Sequence, residues 1–158
     1  MDKKVAIFIK AMKSKKLTLA LAESITCGLA AHKLSTCPGT SEVLKGSIVC
    51  YTPEVKHHLL GVPQHLMDTH SCESAQVTEA LAKKLPGLIK ADVYAAITGL
   101  ASAGGSETKT KPVGTVFFAL WYQQKVFKLR KVFRGTPLTI RKKACMELYD
   151  FILEKTKA

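Results

Sequence analysis

The sequence predicts one α/β domain in three layers, with a mixed β-sheet, helices on the faces of the sheet and a C-terminal β-hairpin. Short apolar runs of strand length alternate with amphipathic helical patterns through the first two-thirds of the chain. Two longer strand patterns then follow each other across a polar turn, as in an antiparallel hairpin. The 158 residues suit a single domain, and no linker or repeat divides the range 1–158.

The elements follow from the apolar spacing and from turn and cap residues. An N-terminal amphipathic helix is predicted because Val5, Phe8, Ile9 and Met12 recur at helical spacing. The next segments are predicted as a strand at 17–22, a helix at 29–34, a strand at 47–51, a helix at 53–60, a helix at 72–85 and a strand at 93–97. The hairpin strands are predicted at 113–121 and 126–133, before a last helix capped by Thr136.

Charge and composition narrow the range of functions. The chain has 24 Lys and Arg residues against 12 Asp and Glu residues, and its net charge of +12 attracts phosphorylated partners. No zinc-finger, helix-turn-helix or RNA-stacking motif accompanies this charge, so we expect a small phosphorylated molecule rather than nucleic acid. The sequence contains neither an apolar run long enough for a membrane span nor a recognisable signal peptide, so we expect a cytoplasmic protein.

No metal site is predicted from the cysteine and histidine residues. The five cysteines are scattered without a CxxC pair, which favours free thiols. His57 and His58 are adjacent, so on a helix they would point in different directions and could not readily chelate one ion. We therefore expect no metal and no cofactor.

A serine and a lysine in the first third of the chain form a candidate nucleophile and base. Ser41 closes a Pro-Gly turn, and Lys56 follows one strand later in a helix opened by Thr52 and Pro53. A cation there faces the positive end of the helix dipole, and a neutral amine could take a proton from a hydroxyl. Two ordinary alternatives stay open: Ser41 caps a short helical turn that begins at Glu42, or Lys56 is a solvated surface lysine.

Two further segments have the form of anion-binding sites. The strand at 17–22 runs through a polar turn into a helix, an arrangement that points backbone N–H groups at an anion or a developing oxyanion. In that turn Ser24 or Thr26 could equally be an ordinary helix N-cap. The strand at 93–97 delivers a glycine-rich loop at 98–106 that a phosphate could approach closely, although no P-loop lysine follows it.

Three motifs carry a resemblance when they are taken together. Residues 22–28 (AESITCG) are similar to the motif AESCTGG. Residues 38–41 (PGTS), 46–56 and 60–62 (LGV) are similar to PGSS…G…VxYSNEAK…LLGV, and residues 97–105 and 111–116 (KPVGTV) to VTGIAGPGG…KPVGTV. Order and separations agree over 17–141. The chain thus resembles the C-terminal domain of the CinA (competence/damage-inducible) proteins, a family of nicotinamide mononucleotide deamidases.

This resemblance implies a metal-independent amidohydrolase that converts nicotinamide mononucleotide to nicotinate mononucleotide and ammonia. It implies Ser41 as nucleophile, Lys56 as general base, and Tyr51 as a proton relay or a substrate contact. The substrate-binding residues that it implies are Glu23, Ser24, Thr26, Gly28, Thr98, Gly99, Gly104, Gly105 and Arg141. The expected partner is therefore a pyridine mononucleotide, with no membrane partner, and we expect a homo-oligomer.

Several positions depart from the family's pattern: Ile25, Cys27, Ser102, Ala103, Thr136 and Pro137. The first two make the turn after the first strand bulkier, and the last two replace an acidic and a basic residue. A catalytically inactive nucleotide- or protein-binding module is therefore the alternative to an enzyme. The net charge of +12 leaves a competence-linked, nucleic-acid-associated protein as a further alternative.

Overall fold

The computed structural model describes residues 2–157, which form five strands and seven α-helices around one sheet. The strands are β1 (Leu19–Glu23), β2 (Leu44–Val49), β3 (Val93–Gly99), β4 (Thr115–Tyr122) and β5 (Lys125–Val132). The helices are α1 (Lys3–Ser14), α2 (Leu29–Ser35), α3 (Thr40–Val43), α4 (Pro53–His58), α5 (Gln64–His70), α6 (Ala75–Lys84) and α7 (Pro137–Lys155). None of these helices is long and apolar enough to cross a membrane.

The sheet has the strand order β2-β1-β3-β4-β5. β1 pairs in parallel with β2 and with β3, whereas β4 is antiparallel to both β3 and β5. Gln123 and Gln124 join β4 to β5, and their positive φ angles of 49° and 59° match the tight turn that the twist of a hairpin favours. The chain moves from β2 on one side of β1 to β3 on the other, so the crevice at the carboxyl ends of β1 and β3 is a topological switch point.

Side chains alternate along the strands between two hydrophobic cores. Leu19 and Leu21 of β1 belong to the core under α1, α2 and α7, whereas Ala20 and Ala22 belong to the core under α6. The alanines on this second face let α6 pack close to the sheet. The predicted mixed sheet with helices on its faces and a C-terminal hairpin is therefore confirmed.

The boundaries differ from the predicted ones where capping decides them. β2 covers Leu44–Val49 rather than 47–51, because residues 50–52 leave the sheet to begin α4. α6 begins at Ala75 rather than 72, since the Ser74 hydroxyl accepts a hydrogen bond from the Val77 N–H and caps the helix there. α5 was not predicted, and α3 was anticipated only as the alternative in which a short helical turn begins at Glu42. Each buries a single side chain, Val43 or Met67, so neither has an apolar stripe.

Candidate active site

Lys56 is buried, with 1% of its surface exposed. Its Nζ donates hydrogen bonds to the carbonyl oxygens of Cys50 at 2.7 Å and Tyr51 at 3.2 Å, and lies 3.1 Å from the Ser24 Oγ. None of the ion pairs within residues 2–157 includes Lys56. The interpretation of Lys56 as a solvated surface lysine is therefore wrong: its amine is held inside the fold by neutral polar groups.

Ser24 reaches Lys56 because of the direction of two neighbouring strands. β1 and β2 are parallel, so the residue after β1 and the helix after β2 lie at the same edge of the sheet. The Ser24 N–H donates to the Ile97 carbonyl at 3.0 Å, which continues the pairing of β1 with β3, and only 5% of the residue is exposed. The hydroxyl beside the buried amine is therefore that of Ser24, which sequence reasoning placed among the substrate contacts.

Ser41 lies in α3, before β2 begins, and is exposed. The six residues of β2 separate α3 from the end that carries Lys56, a distance of about 20 Å along a strand. α3 is held at this opposite edge by the ion pair between Glu42 and Lys13 and by the Thr40 hydroxyl, which donates to the Cys37 carbonyl at 2.7 Å. The predicted pairing of Ser41 with Lys56 is therefore wrong, and the serine belongs to a short helical turn.

Glu23 fills the anion site that the sequence predicted at the start of α2. Its Oε2 accepts hydrogen bonds from the Thr26 hydroxyl and the Ala30 N–H, and its Oε1 accepts from the Ala31 N–H and the Ser47 hydroxyl, at 2.7–3.0 Å. Gly28, the N-cap of α2, offers no side chain, so the carboxylate takes that role. Glu23 is 0% and Thr26 1% exposed. Neither side chain is available to a substrate, contrary to the prediction.

Two other predicted contacts lie outside the cleft. The Thr98 hydroxyl is buried and pairs with the Thr78 hydroxyl at 2.8 Å. Gly28 has φ 87°, a left-handed backbone conformation that favours glycine. Both residues thus shape the fold. Gly99, in contrast, lines the cleft, and it has to be glycine because a Cβ would lie 2.6 Å from the Thr115 carbonyl oxygen.

A cleft of about 220 Å³ opens above Ser24 at the topological switch point. Its lining residues are Ser24, Ile25, Tyr51, Glu73, Gly99, Ala101, Ser102, Ala103, Gly104, Gly105 and Arg141. The structure therefore brings six of the predicted site residues together here. Lys56 does not line the cleft but contacts Ser24 from inside the fold, and Ser41, Glu23, Thr26, Gly28 and Thr98 lie outside. Tyr51 stands at the rim with 56% of its surface exposed, a position that favours its predicted role as a substrate contact.

The glycine-rich loop at the cleft already holds an anion of its own. The N–H groups of Gly104 and Gly105 donate to the two carboxylate oxygens of Glu107 at 2.7 and 2.8 Å. These hydrogen bonds hold the pKa of the Glu107 carboxyl below its usual value, and the bond from Gly104 makes the largest contribution. Gly104 and Gly105 thus line the cleft as predicted, but the N–H groups expected for a phosphate are occupied by Glu107.

Arg141 is the one cationic side chain among the residues that line the cleft. It projects from the first turns of α7, and its Nε donates to the Ile25 carbonyl at 3.0 Å. This bond fixes the planar guanidinium at the cleft. A guanidinium so placed matches the geometry of a phosphate or a carboxylate.

Glu73 lines the cleft and was not predicted. Ser106 donates to its Oε2, and the Lys111 Nζ donates to the Ser106 hydroxyl at 2.9 Å, to the Ser71 hydroxyl at 2.6 Å and to the Glu73 carbonyl at 3.1 Å. This network ties the glycine-rich loop to the turn before α6. No local pattern in the sequence indicates this role, because Ser71 to Ser74 resembles an ordinary approach to a helix cap.

The thiols near the site are not competing nucleophiles. Burial raises the pKa of the Cys50 thiol to about 11, although the nearby Lys56 opposes the shift, and burial also raises the pKa of Cys72. Both thiols are therefore protonated at neutral pH. Within residues 2–157 there is no group of three His, Cys, Asp or Glu side chains that could hold a metal ion.

Comparison with models of protein families shows which family this chain belongs to. The model of the CinA C-terminal domain matches residues 1–156. The chain belongs to the CinA C-terminal domain family. A CinA-like protein of Thermotoga neapolitana is 36% identical over 145 residues, covering 92% of this chain and 35% of that protein. A putative competence-damage inducible protein of Bacillus cereus is 40% identical over 112 residues, covering 71% of this chain and 27% of that protein. The chain thus spans about a third of the length of these curated relatives.

Solved structures of this CinA superfamily share the fold. The competence damage-inducible protein A (ComA) from Klebsiella pneumoniae superimposes with a TM-score of 0.91 at 27% identity, over 97% of this chain and 94% of that chain. A CinA superfamily protein from Escherichia coli gives a TM-score of 0.90 at 26% identity, over 96% and 88% of the two chains. The resemblance seen in the three sequence motifs is therefore confirmed at the level of family and fold.

Proposed function

We propose that this CinA domain is an amidohydrolase that converts nicotinamide mononucleotide to nicotinate mononucleotide and ammonia, with Ser24 as nucleophile and Lys56 as general base. The observation that carries the proposal is the contact of 3.1 Å between the Ser24 hydroxyl and the buried Lys56 amine, at the floor of a cleft. A serine is a weak nucleophile until an adjacent base takes its proton, and lysine serves as that base in Ser-Lys enzymes. The choice of substrate comes from the resemblance to the family.

The role of general base requires that the Lys56 amine is neutral when it takes the proton of Ser24. A neutral amine has two N–H donors and one lone pair. In the neutral form the amine would donate to the carbonyl oxygens of Cys50 and Tyr51, and its lone pair would face the Ser24 hydroxyl, which lies 3.1 Å from Nζ. A charged ammonium would instead donate to all three oxygens, so these contacts accommodate both forms of the side chain. No carboxylate forms an ion pair with Lys56 in the part of the chain that the structure describes.

The reaction then follows in two halves. The Ser24 oxygen attacks the carboxamide carbon while Lys56 takes the hydroxyl proton, and Lys56 returns this proton to the nitrogen as the C–N bond breaks and ammonia leaves. Water next attacks the Ser24 ester and gives a proton to Lys56, which passes it to the Ser24 oxygen as the acid product departs. The N–H group of Ile25, which lines the cleft and bonds to no other group within residues 2–157, is the candidate donor to the oxyanion.

The phosphate of a mononucleotide is assigned to Arg141. Of the two anion sites expected from the sequence, Glu23 occupies the start of α2 and Glu107 occupies the N–H groups of Gly104 and Gly105. Arg141 remains as the cation of the cleft, fixed by its bond to the Ile25 carbonyl. Tyr51 at the rim offers its ring for stacking on an aromatic base.

The proposal is tested by incubating the protein with nicotinamide mononucleotide in the presence of a chelator. We expect release of ammonia and nicotinate mononucleotide in equal amounts, because hydrolysis of one amide gives one of each and the proposed chemistry needs no metal. Ammonia is measured by a coupled enzyme assay and the nucleotides by chromatography. Binding of the nucleotide without release of ammonia would instead indicate the inactive nucleotide-binding module.

Arg141→Gln is expected to raise KM for nicotinamide mononucleotide about 10- to 100-fold with a smaller effect on kcat, since a charge-assisted contact to a phosphate distant from the reacting bond is lost. Steady-state kinetics measures both constants. Lys142→Gln, at the exposed neighbouring position of α7, removes the same charge outside the cleft and serves as the control. An unchanged KM in Arg141→Gln would show that the phosphate binds elsewhere.

A further inference from the structure

We propose that Glu73 is a specificity-determining residue, whose carboxylate selects substrates that carry a positive charge on the ring, as an N-ribosylated pyridinium does. The inference rests on the proposed function for the kind of substrate, and it adds the group that recognises the ring. It also assigns a role to a lining residue outside the family motifs described above.

The position of Glu73 is fixed from two sides. It lies in the turn before α6 and lines the cleft together with Ser24, Tyr51 and Arg141. Its Oε2 accepts the hydrogen bond from the Ser106 hydroxyl, and its backbone carbonyl accepts from the Lys111 Nζ at 3.1 Å. A carboxylate held in this way is set in place before the ligand arrives, so binding need not order it.

The other oxygen of Glu73, Oε1, accepts no hydrogen bond from any group within residues 2–157. Lys111 reaches the network through Ser106 and forms no ion pair with the Glu73 carboxylate. An ionised carboxylate accepts hydrogen bonds and attracts positive charge, and it repels a second anion. Among the residues that line the cleft, Glu73 is therefore the one carboxylate and Arg141 the one cation. Lys111 lies outside this lining and offsets part of the Glu73 charge, because both bond to Ser106.

A pyridinium mononucleotide matches these two charges. Its phosphate is negative and suits Arg141, whereas its ring carries the positive charge that suits Glu73. The reaction also places a new carboxylate on the ring, which Glu73 repels. The same residue thus favours the amide substrate over the acid product.

A ribose hydroxyl bound by Glu73 is the competing interpretation, and the Glu73→Gln variant separates the two. The glutamine carbonyl still accepts a hydrogen bond from a hydroxyl, but it carries no charge. If this variant no longer discriminates between charged and neutral rings, the negative charge of Glu73 is what recognises the ring.

The experiment compares nicotinamide mononucleotide with its 1,4-dihydro form, which has the same phosphate, ribose and amide but a neutral ring. Both are titrated by calorimetry into Ser24→Ala, which cannot hydrolyse the amide, and into the same protein carrying Glu73→Gln. We expect Ser24→Ala to prefer the charged ring, and Glu73→Gln to weaken binding of that form by about three- to tenfold while the neutral form is unaffected. Glu154→Gln, an exposed carboxylate at the end of α7, should leave the preference intact.

The outcomes separate this inference from the proposed function. Ammonia release by the wild type, together with an unchanged ring preference in Glu73→Gln, overturns the role of Glu73 and leaves the amidohydrolase standing. A preference that depends on Glu73 without any ammonia release supports the inference and overturns the hydrolase. If Glu73→Gln does not fold, Ser106→Ala is the second variant. It keeps the Glu73 carboxylate but removes the hydrogen bond that holds it in place. The preference for the charged ring should then fall by a smaller factor. An unchanged preference there counts against the proposal.

Discussion

Replacing Ser24 with alanine is expected to abolish the release of ammonia, whereas Ser41→Ala should retain near wild-type activity. Ser24 is the hydroxyl 3.1 Å from the buried amine of Lys56, and its loss should lower kcat by about 10³-fold or more. Ser41 is exposed in α3 at the other end of β2. The two variants change the same side chain in the same way, so Ser41→Ala is the matched control. Ammonia release and circular dichroism are measured for both.

Lys56 variants test the other half of the pair. Lys56→Met keeps most of the side-chain volume but removes the amine, and it should lose activity to the same degree as Ser24→Ala. The double variant should be little worse than either single variant, because residues that act as one unit are lost together. Lys56→Arg should also be inactive, since a guanidinium does not give up its proton. An active Ser24→Ala or an active Lys56→Arg, with an unchanged fold, would exclude the proposed mechanism.

The fold was predictable because the local signals agree with each other. Buried runs of strand length, the Thr52 and Thr136 caps and the helical spacing of Phe8, Ile9 and Met12 all correspond to observed elements. α5 escaped prediction because it buries only Met67 and has no side-chain cap. Elements of this kind are held by tertiary contacts, which a single sequence does not display.

The partner of Lys56 was mispredicted because closeness along the chain was taken for closeness in space. Ser41 and Lys56 flank the same strand, so the strand holds them apart. Ser24 follows β1 and Lys56 follows β2, and the ends of parallel neighbours meet at one edge of the sheet. The predicted order of strand, helix and strand at 17–22, 29–34 and 47–51 favours a parallel pair, from which this arrangement follows. The dipole argument for Lys56 was also weak, because α4 has only six residues and its two ends nearly overlap.

The anion site expected at the start of α2 was misjudged for a different reason. The strand, polar turn and helix are all present, but the acid at the end of β1 folds back onto the helix. Two signals in the sequence pointed to this: Glu23 directly follows an apolar run, and Gly28 leaves the helix without a capping side chain. An acidic residue in such a place needs partners inside the protein, and the nearest donors are those of the helix itself.

Glu23→Ala is therefore expected to be among the most destabilising substitutions in the domain. The four donors that now bond to the carboxylate would lose their acceptor, and those of Thr26 and Ala30 are buried. We expect a cost of about 3–5 kcal/mol in the free energy of unfolding. Glu23→Gln should cost less, because the amide keeps one acceptor oxygen while its NH₂ group faces two donors. Urea unfolding followed by circular dichroism measures both changes.

Catalysis should fall with the stability of this turn, because Ser24 directly follows Glu23 and the carboxylate fixes the path of the chain into α2. We expect Glu23→Gln, assayed well below its unfolding midpoint, to lower kcat with little change in KM, since the residue lies beneath the cleft and does not line it.

The control for the stability prediction is Glu42→Ala, which removes an exposed glutamate in a surface ion pair with Lys13 and should change the free energy of unfolding by less than about 1 kcal/mol. Equal unfolding midpoints for Glu23→Ala and Glu42→Ala would show that the buried carboxylate does not hold the turn.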